Sequence, residues 1–188
     1  MMKIITGTAK GIRLETLEGE TTRPTAEKTK MAIFNTLQFD IEGRRVLDLF
    51  GGSGQLALEA LSRGASSAFI CEADLSAFEV IKRNAQKTKL FSRIKLVCSD
   101  YKSTLKGLAG KDRFDLIFLD PPYKSNYLND AVKKIMDGAL LSLGGFIVCE
   151  CENSEPIHHD GLKLYKHAKY GRAYVTILYN DPDESEGE

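Results

Sequence analysis

The amino-acid sequence predicts a doubly wound α/β fold on a mostly parallel sheet, and three observations support that reading. Five short, near-continuously apolar runs recur at residues 45–50, 68–72, 94–98, 114–120 and 146–151, as strands buried on both faces require. Helical patterns separate them, and such alternation is the mark of parallel βαβ units. Acidic residues close successive runs, and a glycine-rich turn leads from the first run into a helix.

Taken in order, residues 1–22 are β-like, with Gly7, Gly11 and Gly19 at turns. Residues 26–37 fit an amphipathic helix with Met31, Phe34 and Leu37 on one side; Thr25 is placed to cap it, and Glu27 suits its positive end. Residues 55–63 form a helix closed by Gly64. Asp74 or Ser76 opens another that runs to residue 89. The clearest helix covers residues 126–140, where Leu128, Ala131, Val132, Ile135 and Met136 follow the spacing of a buried stripe. Residues 162–170 and 173–179, joined by Gly171 and Arg172, read as a hairpin that finishes the sheet with antiparallel pairing.

The 188 residues, 43% hydrophobic and 9% aromatic, suffice for one cored domain and exclude a disordered chain. No apolar run approaches the roughly 18 residues of a membrane span, and the first residues lack a signal-peptide stretch, so the expected place is the cytoplasm. Basic and acidic residues number 26 each, but five of the acids fall in the last eight residues. The body is therefore mildly basic, with bases concentrated at 82–95 and 163–172, and the tail is expected to be solvated. Cys71, Cys98, Cys149 and Cys151 all lie in apolar runs and read as buried, reduced thiols. With three histidines and no CxxC pair, no metal site is expected.

Chemistry concentrates at the ends of the β runs. The stretch from Asp48 through Phe50 to Gly51, Gly52, Ser53 and Gly54 lets a ligand approach backbone amides before a helix. Gly52, Gly54 and Ala57 satisfy a dinucleotide fingerprint, with Glu72 at the position of a ribose-binding acid. S-adenosylmethionine would use the same geometry without a pyrophosphate, and Asp48 would then suit its cationic amino group. Asp48, Glu72, Asp100 and Asp120 all stand at the carboxyl edge of the expected sheet. Any one of them could simply cap the following helix. Together around the glycine turn they suit a ligand with an amine, hydroxyls and positive charge: Glu72 for the ribose hydroxyls, Asp100 for the adenine amine, and Tyr101 near the ring. Phe50 and Ala73 complete the expected cofactor-binding set.

Asp120, Pro121, Pro122 and Tyr123 follow the fourth run. Two prolines stiffen an extended backbone that donates no N–H. The Asp120 carboxylate and the Pro121 carbonyl then become two acceptors at fixed spacing for an exocyclic amine, and Tyr123 offers a face for a base to stack on. The bland reading is a proline-stiffened turn with a capping Asp.

This DPPY run resembles the catalytic motif of amino-group methyltransferases that act on nucleic-acid bases. Residues 7–14, Arg23 to Thr25, Phe34 and Asn35, 48–54, 59–65 and 120–123 resemble, in order, the RsmD-type 16S ribosomal RNA guanine-N2 methyltransferases. The likeness spans nearly the whole chain except the acidic tail. It implies a Rossmann-like class I methyltransferase: a mostly parallel seven-stranded sheet with an antiparallel C-terminal hairpin and a small N-terminal β extension. On this reading residues 1–24 are the extension, 25–180 the methyltransferase domain and 181–188 a flexible tail.

The resemblance also implies S-adenosylmethionine as cofactor, catalysis by Asp120, Pro121, Pro122 and Tyr123, and small-subunit ribosomal RNA or the assembling subunit as partner. Lys10, Arg13, Arg23, Lys28 and Lys30 are the candidate RNA contacts, and a monomer is the expectation. The sequence departs from the family pattern at Gly51 (usually Ala), Gln55 (usually smaller) and Ala57 (usually Gly). Lys28, Lys30 and Met31 stand where Arg, Arg and Glu are typical, which keeps charge at two positions but loses bidentate hydrogen bonding. Three rivals remain. A DNA adenine-N6 methyltransferase would grip its amine the same way but is expected to need a separate target-recognition domain. An NAD-binding oxidoreductase leaves DPPY without a role, and a silent RNA-binding assembly factor leaves Asp48 and Asp120 without one.

Overall fold

The computed structural model describes residues 2–17, 24–122 and 127–182. In chain order these form α1 (Pro24–Thr36), β1 (Arg45–Asp48), α2 (Gln55–Ser62), β2 (Ser67–Glu72), α3 (Leu75–Lys87), β3 (Ile94–Cys98), α4 (Tyr101–Leu108), β4 (Phe114–Leu119), α5 (Tyr127–Asp137), β5 (Leu141–Cys151), β6 (Lys163–Tyr170) and β7 (Ala173–Tyr179). The seven strands lie in the order β3-β2-β1-β4-β5-β7-β6. The pairs from β3 through β5 are parallel, and β7 runs antiparallel to both β5 and β6. The order reverses between β1 and β4, which opens a crevice above the carboxyl ends of these strands. Among the described residues no helix is long and apolar enough to cross a membrane.

Alternate residues of the central strands feed two cores. Val46 packs into the layer of α1 and α2, whereas Leu47 packs into the layer of α4 and α5, and both are fully buried. This two-sided burial is why the strands read as continuous apolar runs. Cys149 and Cys151 are buried on one face of β5, but Cys98 at the end of β3 is exposed, contrary to expectation, because it lies at the edge strand. Helix α4 escaped the sequence reading, although its signals are present. Asp100 Oδ1 accepts the Lys102 and Ser103 amides, and Tyr101, Leu105 and Leu108 follow at helical spacing.

Helix α1 begins at Pro24, which suits a first helical position, so Thr25 lies inside the helix rather than at its cap. Its buried face includes Lys30, Ile33 and Phe34, continued by Leu37 just beyond its end, while Met31 is 45% exposed and points away from the core. Residues 2–17 make only one isolated bridge, Lys3 to Arg13, in place of the expected β strands. The Ile4 and Leu14 amides donate to the Ile12 and Met2 carbonyls in a short ribbon, and side chains of α2 hold that ribbon in place. Glu59 on α2 accepts the Ile5 amide at 2.7 Å and the Thr6 amide at 3.0 Å, and Ser62 Oγ accepts from the Ala9 amide and donates to the Thr6 carbonyl. Gly7 lies so close to α2 that a Cβ there would sit 1.7 Å from the Ser62 carbonyl oxygen. Asn84 of α3, itself fully buried, accepts the Glu15 amide and donates to the carbonyls of Glu15 and Ser53.

Lys30 is the main correction to the expected RNA contacts. It is 1% exposed, donates to the Lys3 carbonyl at 2.7 Å, and lies 3.7 Å from the Glu59 carboxylate. Burial pulls its pKa below the usual lysine range, against the pull of Glu59. Lys10, Arg13 and Lys28 are exposed as expected. Arg23 lies outside the described residues.

Removing one member of a buried charge pair strands the other, a loss of about 3–5 kcal/mol. Glu59 also serves two amides and Arg63 Nε, so Glu59→Ala is expected to lose that much stability in denaturant melts and expose residues 2–17 to protease. Lys30→Met leaves Glu59 with Arg63 and both amides and is expected to cost clearly less.

Candidate active site

A pocket of about 490 Å³ opens at the carboxyl ends of β1, β2 and β3. Leu49, Phe50 and Gly52 after β1 form one wall, with Glu72, Ala73 and Asp74 after β2 beside them. Ser99 and Asp100 after β3, Tyr101 and Lys102 at the start of α4, and Pro122 and Tyr127 complete it. Leu17 reaches in from the N-terminal segment and Ala77 from α3. The expected residues Phe50, Gly52, Glu72, Ala73, Asp100, Tyr101 and Pro122 are thus brought to one cavity.

Glu72 is oriented by the backbone. Its Oε2 accepts the Gly52 amide at 2.7 Å and its Oε1 the Asp74 amide at 2.8 Å. One carboxylate thereby ties the glycine turn to the start of α3, and each oxygen keeps a lone pair for a second donor. Asp100 caps α4 and faces the pocket as well; hydrogen bonds from Ser103 and from the Lys102 amide hold its carboxyl below the usual range.

Asp48, the last residue of β1, is 1% exposed and is not among the residues that line this pocket. Burial pushes its carboxyl up to about 7, the neighbouring Glu72 charge adds to the rise, and amide hydrogen bonds from Phe50 and Ala57 only partly oppose it. Its Oδ1 has no hydrogen-bond partner among the described residues. A buried carboxylate oxygen in that state fits a cationic donor, such as the ammonium of an amino-acid headgroup.

Ser53 and Gly54 do not line the cavity. Ser53 Oγ donates to Met2 Sδ at 3.1 Å, and Gly54, in the left-handed region at φ 78°, caps α2 where a Cβ would meet Ile81 at 3.2 Å and Leu58 at 3.4 Å. The α2 N-terminus, where a dinucleotide pyrophosphate would sit, is therefore not part of the pocket wall. Gly51 answers to packing. A Cβ there would come within 2.7 Å of Ile70 Cγ2 and 2.8 Å of Ile81 Cδ1, so glycine accompanies bulky neighbours at this position.

Asp120 is half-buried directly after β4, Pro121 is buried, and Pro122 is exposed at the pocket rim. Tyr123 lies outside the described residues. Tyr127 was missed by sequence reasoning. Its ring is 5.1 Å from Tyr101 and parallel to Phe50 within 4° at 6.3 Å, making a three-ring wall at the mouth. The Tyr101 hydroxyl donates to Asp130 Oδ2 at 2.8 Å, and Lys134 donates to Asp130 Oδ1 at 2.8 Å, which locks α4 to α5. An aromatic residue opening a strongly amphipathic helix just after DPPY was the available signal.

Residues 2–179 match the family described as Conserved hypothetical protein 95. The chain belongs to this RsmD-type family. Ribosomal RNA small subunit methyltransferase D of Haemophilus influenzae is 32% identical over 157 residues, covering 83% of this chain and 81% of that protein. The protein of the same name from Escherichia coli K12 is 31% identical over 191 residues, covering 100% and 92%. Among solved structures, yhhF of Escherichia coli superposes with a TM-score of 0.85 at 27% identity, over 96% of this chain and 98% of that one. The RsmD-type fold and the mixed seven-stranded sheet agree.

Two outcomes test the site's physics. A carboxyl with a raised folded-state pKa stabilises the fold below about pH 4, loses that contribution as pH rises to about 7, and changes little above, a span worth about 4 kcal/mol. Asp48→Asn is therefore expected to raise the melting temperature at pH 8 and to flatten its fall between pH 4 and 7. Gly51→Ala is expected to cost about 1–3 kcal/mol through overpacking, with only part of the loss restored in Gly51→Ala/Ile81→Val, which removes the Cδ1 but leaves Ile70 Cγ2.

Proposed function

We propose that the protein transfers a methyl group from S-adenosylmethionine to the exocyclic N2 of a guanine in small-subunit ribosomal RNA. The observation that carries this reading is that Pro122 of the DPPY run lines the same cavity as Glu72, Asp100 and Tyr101. The expected amine-gripping run thus reaches the expected nucleoside-binding edge through Pro122. The relatives' names support the polymer and the subunit.

When bound, the cofactor supplies an electrophilic methyl on a sulfonium. Glu72 accepts from its ribose hydroxyls, Asp100 accepts from its adenine amine, and Phe50 and Tyr101 provide the apolar wall. Asp48 pairs with its ammonium, which compensates a carboxylate that burial otherwise disfavours. Ala73, Gly52, Ser53 and Gly54 shape the turn around it.

A guanine amine is a poor nucleophile because its lone pair is delocalised into the ring. Asp120 and the Pro121 carbonyl each accept one of its hydrogens, which favours the positive charge that develops on nitrogen. The same two bonds aim the nitrogen at the methyl, a positioning effect, and Pro122 stiffens the pair. Tyr123 stacks on the base, which must first leave its helix or lie in a loop. The proton released from nitrogen goes to Asp120 or to water. No step requires a metal. The substrate is small-subunit RNA, free or in an assembling subunit, met by a monomer in the cytoplasm.

Label transfer from methyl-labelled S-adenosylmethionine tests the reading, with hypomethylated small ribosomal subunits and unmethylated duplex DNA as separate acceptors. Labelled N2-methylguanosine from the ribosomal substrate alone is expected. Labelled N6-methyladenine from DNA would overturn the substrate. Asp120→Ala is expected to lower kcat by about a hundredfold or more with a far smaller change in cofactor affinity; unchanged turnover would remove its assignment.

A further inference from the structure

The family likeness directs attention to cations near α1, yet Lys30 is buried there. A different set of lysines meets the pocket directly. Between α4 and α5 runs a second groove of about 410 Å³, lined by Lys102, Lys106 and Lys134 over a floor that includes Leu105, Ala109 and Gly138. Lys102 belongs to both cavities. The groove therefore adjoins the mouth of the candidate active site at Lys102.

Its charges are unequally satisfied. Lys134 is paired with Asp130 at 2.8 Å, and Asp137, the acid lining the groove, is paired with Lys133 at 3.0 Å. Lys102 and Lys106 are exposed and have no ion pair within 4 Å among the described residues. They stand one turn apart on the same face of α4, so their side chains rise about 6 Å along it. Asp100, at the pocket end, repels an anion from the α4 N-terminus and confines the positive stripe to the turn beyond.

We propose that this α4–α5 groove holds the sugar-phosphate backbone flanking the target guanine, with Lys102 and Lys106 on successive phosphates of one strand. The inference rests on the function proposed above and assigns that site its RNA track. Two exposed lysines, Lys102 with its Nζ 5.8 Å from the Tyr101 ring centroid, stand beside an acid-lined pocket and separate the functions: carboxylates take the cofactor, lysines take the substrate's backbone. Phosphate contacts of this kind fix register and orientation and leave base choice to the pocket.

The test is direct binding of a small-subunit RNA fragment across a salt series, with turnover measured separately. For Lys106→Ala and Lys102→Ala/Lys106→Ala, the dissociation constant at about 0.1 M salt is expected to rise, roughly tenfold for the pair. The slope of log affinity against log salt is expected to shrink by about 0.7 per lysine removed, as for single-stranded contacts. Lys87→Ala, an equally exposed lysine on α3, controls for net charge and is expected to change neither quantity. An unchanged salt slope in the double variant would overturn the proposal, as would an equal loss in Lys87→Ala. If the wild type binds the fragment with the expected slope but methylates no RNA, the functional reading fails while the track stands.

Discussion

A single buried carboxylate, Glu59, organises the half of the molecule that faces the N-terminus. It sits on α2 with no exposure to solvent, and its two oxygens meet the Ile5 and Thr6 amides, Arg63 and Lys30. An isolated charge in that position would be prohibitively desolvated, so the partners must all be present together. That requirement brings α1, α2 and residues 2–17 into one assembly. The segment is then carried along α3, where Asn84 clasps Glu15 and Ser53 together, and Leu17 arrives at the pocket. A wall of the candidate active site thus depends on a charge cluster well outside it.

The carboxyl edge of the sheet shows how one residue type serves three tasks by depth. Asp100, at the surface, is stabilised as an anion by the helix it caps. Glu72, half-buried, is oriented by two backbone amides and still has lone pairs to offer. Asp48, fully buried, is held near neutrality and retains an oxygen without a partner. The order from solvent to interior runs from a helix-capping acceptor, through a carboxylate held by two amides, to a carboxyl whose ionisation burial opposes. Such a series matches a ligand with a polar base at one end and a charged amine at the other.

Much of this was legible in the primary structure because buried parallel strands leave an apolar signature and their ends collect the ligand-binding groups. Residues 114–120 needed no tertiary information to be placed before DPPY, nor Glu72 to be placed beside the glycine turn. The misses share a cause. Helix α4 is short and polar on one side, so its capping Asp100 was read for ligand chemistry and not for the turn it starts. Met31 and Lys30 exchanged places between core and surface because one helical residue spans 100° of azimuth, and a lysine is seldom expected inside. Residues 2–14 look β-like in sequence, yet they pair only with themselves in a short ribbon that Glu59 and Ser62 anchor to α2.

By itself the sequence determined the doubly wound class, the position of each carboxylate on one edge of the sheet, and the resemblance that names a chemistry. Those are properties of local periodicity and of residues close together along the chain. Only the tertiary structure decided which of the acids reach the cavity, that Tyr127 and Leu17 join them, that Lys30 is spent on Glu59, and that Lys102 connects the pocket to a second groove. Each of these depends on how distant segments share buried volume and charge. Desolvation acts on the assembled interior, and a linear pattern does not record which partner will be there to offset it.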